Sequence, residues 1–145
     1  MKTSEKLYEE VKWIELSTTL TYELIEQDKI LDCRYLLKEC EKRAVKRGSY
    51  CLNDRGAMQI MLILYASCTP QQLKNVDLLY EEYFLRMHPA WYCHAGIWRN
   101  RIAAYRRCGI DPSDIIQQFE VRLNAGRFGQ KAKKKYLEAK NKCSQ

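Results

Sequence analysis

The chain has 145 residues, of which 46% are hydrophobic and 30% charged, proportions that exclude an intrinsically disordered polymer and fit one folded domain. Its formal charge of +7 is unevenly placed: residues 99–145 hold 12 Lys and Arg against 4 Asp and Glu, a net of +8, whereas residues 1–98 hold 13 against 14. The longest apolar run, Ile60 to Ala66, falls far short of the roughly 18 residues of a membrane span, so a membrane anchor is not expected.

The opening residues Met1-Lys-Thr-Ser-Glu-Lys carry no apolar leader with a small-residue cleavage site, which makes the cytoplasm the expected location. Seven cysteines, Cys33, Cys40, Cys51, Cys68, Cys93, Cys108 and Cys143, form no Cys-x-x-Cys pair and leave one thiol over. Reduced thiols that pack as small hydrophobes are the expectation.

With only three prolines and six glycines, the punctuation is that of helices joined by short connections. The first predicted helix, Glu5 to Gln27, has one apolar stripe through Leu7, Val11, Ile14, Thr18 and Ile25 and a second through Trp13, Leu16, Leu20 and Leu24. Two stripes predict a helix sandwiched between neighbours. The second, Lys29 to Arg47, aligns Ile30, Cys33, Leu37, Cys40 and Ala44 and stops at Gly48, and its basic end Lys42-Arg43-Ala-Val-Lys46-Arg47 complements the helix dipole.

The third, Asp54 to Ser67, is apolar on nearly every side and reads as the central buried helix. Thr69-Pro70 opens a fourth along Leu73, Val76, Tyr80, Tyr83 and Met87, ending near His88. Pro89 opens a fifth with a core stripe of Trp91, Ala95, Trp98, Ile102 and Tyr105, closed by Gly109. Asp111-Pro112 starts a sixth through Ile115, Ile116, Phe119 and Leu123, which Gly126 and Gly129 break. A lysine-rich seventh, Gln130 to Lys142, has a weak stripe of Ala132, Tyr136, Ala139 and Cys143. The expectation is an all-α fold, a compact bundle or short solenoid-like array of six to seven antiparallel helices, with one domain over 1–126 and a basic helix or tail over 127–145.

The fifth helix holds the first candidate site. Tyr92, Arg99 and Arg106 share a stripe about a quarter turn from the core face, with Arg107 adjoining. Guanidinium groups beside an aromatic ring suit phosphate pairing and base stacking. The second candidate is the basic cluster Arg127, Lys131, Lys133, Lys134 and Lys135, able to neutralise several phosphates at once.

Metal and catalytic chemistry have no comparable pattern. His88, Cys93 and His94 lack the Cys-x₂-Cys or His-x₃-His spacing that turns two ligands toward one zinc, and Cys93 beside His94 is a poor nucleophile and base pair because helix neighbours diverge by about 100°. Glu9-Glu10 and Glu81-Glu82 splay apart for the same reason. The sequence therefore predicts a non-enzymatic binding protein without a cofactor, whose basic C-terminal third contacts nucleic acid or a nucleoprotein complex. An acidic protein partner bound by a helical interaction module is the alternative, and a homodimer burying the Ala132/Tyr136/Ala139 stripe is a third arrangement open to it.

Overall fold

Hydrogen-bonded helices account for the architecture of the protein, a computed structural model that describes residues 3–46, 55–85 and 94–122. Among the described residues these are α1 (Thr3–Glu26), α2 (Cys33–Lys46), α3 (Arg55–Ser67), α4 (Leu73–Tyr80), α5 (His94–Arg107) and α6 (Ser113–Arg122). A 3₁₀ turn, Ile30–Asp32, leads into α2, and a π-helical turn, Glu81–Leu85, prolongs α4. The expected all-α bundle is the observed one. None of the described helices is long and apolar enough to cross a membrane.

α3 lies at the centre, touching α1, α2, α4 and α5. Its Ala57, Ile60, Met61, Ile63, Leu64 and Tyr65 are all buried, as an all-round apolar segment requires. The α2 stripe is also buried, from Ile30 in the 3₁₀ turn through Cys33, Leu37, Cys40 and Ala44. Cys33 and Cys40 thus act as small core hydrophobes, and burial, helped by the nearby Asp32 carboxylate, pushes the Cys33 thiol up to about 12.

α1 departs from its expected sandwich. Among its described side chains Trp13, Ser17 and Thr21 are buried and Leu20, Leu24 and Ile25 partly covered, while Val11 and Leu16 stay exposed. Serine and threonine read as polar in a sequence, yet each satisfies its hydroxyl within the helix: Ser17 donates to the Ile14 carbonyl at 3.1 Å and Thr21 to the Ser17 carbonyl at 2.7 Å. With the hydroxyls paired, small side chains can face the core at no cost in unmet hydrogen bonds.

The ends of the helices are set by local chemistry. α1 stops in a Schellman turn, Lys29 N donating to the Leu24 carbonyl at 2.8 Å and Asp28 N to that of Ile25 at 3.1 Å. Asp28 takes the left-handed φ of 57° there, a place glycine usually fills. α5 ends the same way on Gly109, φ 74°, with Ile110 N bonded to the Tyr105 carbonyl. The predicted start at Asp111 is present, Asp111 Oδ1 accepting from Ser113 N; at Thr69 the Oγ1 accepts from Gln72 N, but this closes a turn over Pro70–Gln72 and α4 itself begins at Leu73.

An aromatic series joins the second half of the bundle. Tyr65 meets Tyr80 edge-on at 6.1 Å, Tyr80 stacks on Phe84 at 5.6 Å and meets Trp98 edge-on at 5.7 Å, and Trp98 stacks on Phe119 at 4.7 Å. One contact after another thus links α3, α4, the π turn, α5 and α6. The predicted seventh helix, the 127–145 segment and the Ala132/Tyr136/Ala139 stripe lie outside the described residues.

Candidate functional site

α5 presents its arginines on a helix that is firmly held from behind. Ile97, Trp98, Arg101, Ile102 and Ala104 are buried, and Tyr105 is half-buried beside them. On the far side Arg99, Ala103 and Arg106 are exposed on one face. The two arginines are seven positions apart, about 10 Å along the axis, with Ala103 between them on that face.

Arg107 points elsewhere. Its Nη1 donates to the Cys68 carbonyl at 2.8 Å and its Nη2 to the Tyr65 carbonyl at 3.0 Å, so its fork caps the C-terminal end of α3. Those carbonyls lack intrahelical donors and sit at the negative end of the helix dipole, which is why a cation seats there. Of the predicted site residues, Arg99 and Arg106 are thus brought together and Arg107 is engaged by α3. Tyr92, Arg127, Lys131, Lys133, Lys134 and Lys135 lie outside the described residues, as do Cys93 and His88.

What orients α5 is a buried ionic cluster. Arg101 is only 3% exposed and its Nε donates to Asp77 Oδ1 at 3.0 Å. Tyr65 donates to the same oxygen at 2.6 Å, and Tyr105 donates to Asp77 Oδ2. The guanidinium also lies 4.7 Å from the Trp98 ring, 5.2 Å from Tyr80 and 5.9 Å from Tyr105, so ring faces surround the part of the cation that the carboxylate does not reach.

Burial, then the bond to Asp77, pushes the Tyr105 phenol up to about 12. Tyr65 is raised well above the ordinary phenol range by burial and the nearby Asp77 charge. Both phenols therefore remain donors at any physiological pH.

Asp77 and Arg101 were not singled out by sequence pattern. Their signal was a charge placed on an apolar stripe: Arg101 stands three residues after Trp98 and four before Tyr105, and Asp77 three before Tyr80. Gln72, buried between α1 and α4, is a second residue without a sequence signal. Its Oε1 accepts from Thr69 N at 3.0 Å, and its Nε2 donates to the Ile25 carbonyl at 3.1 Å and to Asp28 Oδ1 at 2.9 Å. No family model, curated protein or solved structure matches this chain.

Proposed function

We propose that the protein works by binding a polyanion, nucleic acid or a nucleoprotein complex, through Arg99 and Arg106 of α5 and the basic residues 127–135, and that it is not an enzyme. The observation that carries this reading is the exposed Arg99/Arg106 face on a helix fixed from behind by the Asp77–Arg101 cluster. A helix already held by packing loses little backbone freedom on meeting phosphate, and planar guanidinium forks can bond it in pairs. The basic residues 127–135 add charge that acts over the Debye length of about 10 Å.

Binding of labelled DNA and RNA oligonucleotides at about 50 mM salt tests the reading. Arg99→Gln with Arg106→Gln, and separately Gln at Lys131, Lys133, Lys134 and Lys135 together, should each weaken binding. Wild-type protein that binds neither nucleic acid under those conditions contradicts it. A stoichiometric protein partner that survives nuclease treatment and high salt would instead assign the charge to an acidic protein surface.

A further inference from the structure

The outward face of α2 carries a positive ridge that the overall charge asymmetry conceals. Within Cys33–Lys46 five basic residues stand against two acidic ones, a net of +3 in a part of the chain that is close to neutral as a whole. Two of the five are tied into the fold. Arg34 bonds both oxygens of Glu82, Nε to Oε2 at 2.9 Å and Nη2 to Oε1 at 2.6 Å. Arg43 lies 4.5 Å from the Trp13 ring and 3.4 Å from Glu39.

The other three, Lys38, Lys42 and Lys46, are exposed and have no ion-pair partner among the described residues. Spaced by four, they stand about 6 Å apart along one side of the helix. Tyr35, 73% exposed, heads the same ridge, and Val45, 62% exposed, flanks it. Complementing the helix dipole explains Lys42 and Lys46 near the C-terminal end, but it does not reach Lys38 in the middle.

We infer that this ridge binds a single-stranded nucleic acid, the three ammonium groups following its phosphates while the Tyr35 ring stacks on an unpaired base. A duplex keeps its bases stacked inside and offers Tyr35 nothing comparable. An anionic lipid surface requires an apolar face to immerse, and α2 instead buries that face in the core through Leu36, Leu37, Cys40 and Ala44. Packing against α1 and α3 holds the helix before any ligand arrives. The inference rests on the polyanion reading for the class of ligand but not for the residues, since the whole ridge precedes α5.

Anisotropy of a labelled oligothymidine strand, and of a duplex of equal length, tests it at about 50 mM salt, with far-UV circular dichroism confirming that each variant is folded. Tyr35→Ala should weaken strand binding roughly tenfold and leave the duplex unaffected. Lys38→Gln, Lys42→Gln and Lys46→Gln combined should flatten the salt slope for the strand by about 2. Unchanged strand affinity in both α2 variants, with loss in the Arg99/Arg106 variant, overturns the ridge and leaves the α5 reading standing. Loss in the α2 variants alone sustains the ridge and removes α5. Wild-type binding of the duplex but not the strand overturns the ridge alone, whereas binding of neither, or binding confined to phosphatidylserine vesicles, overturns the polyanion reading as well.

Discussion

Asp77 accepts hydrogen bonds from residues of two other helices, Tyr65 on one and Arg101 and Tyr105 on another, so its carboxylate fixes how α3 and α5 sit against α4. Removing one partner of such a buried pair leaves the other charge unpaired. Asp77→Ala should therefore lower unfolding free energy by about 3–5 kcal/mol in urea denaturation, whereas Asp77→Leu combined with Arg101→Met, Tyr65→Phe and Tyr105→Phe, which removes every donor with the acceptor, should recover most of that loss. The phenols give the cluster a pH signature. Tyr105 is raised from an ordinary 10.0 to about 12 in the folded protein, so its contribution is complete below pH 10 and disappears as the pH rises toward 12. Urea midpoints measured between pH 8 and pH 12 should fall across that upper interval, and less steeply for Tyr105→Phe. Arg107 has a different duty. Arg107→Ala should cost about 1–2 kcal/mol of stability by exposing the α3 terminus, with only the small loss of affinity that one fewer positive charge brings.

Helix ends and helix faces differed in how plainly the residues announced them. Gly109, Thr69 and Asp111 were readable because each meets a backbone demand that few residue types satisfy: a positive φ at Gly109, and a side-chain acceptor for orphan N–H groups at the other two. The α3 and α2 core stripes were readable from apolar spacing alone. The buried face of α1 was not, since Ser17 and Thr21 hide their polarity in bonds to their own helix. Nor was the Gln72 junction, because its partners Ile25 and Asp28 are 47 and 44 residues distant in the chain. Gln72→Ala should cost about 1–3 kcal/mol by leaving buried groups unpaired, and thermal unfolding followed by circular dichroism would register it as a lowered Tm. Gly109→Ala should cost about 1 kcal/mol in the same measurement, through strain at its φ of 74°. Of the candidate site, Arg99 and Arg106 were legible because an exposed face is simply the complement of a core stripe. Arg107 shares that sequence signal, yet the end of α3 captures it, which no local pattern reveals.

At the scale of the molecule, α2 and α5 carry positive charge of distinct origin. α3 packs against both α2 and α5, and each of these turns basic side chains outward while its apolar side joins the common core. The lysine ridge of α2 is nearly invisible in a charge count because the acidic residues of the first 98 positions offset it. The arginine face of α5 stands out in such a count because few acids surround it. A polyanion held by several of these groups releases counterions, so its affinity must depend steeply on ionic strength. The equilibrium constant for an oligonucleotide, measured by anisotropy from about 50 to 200 mM salt, should fall linearly on a log–log plot with a slope of about −3 or steeper. Binding that is absent at the low-salt end, or present with a slope near zero, would contradict the account.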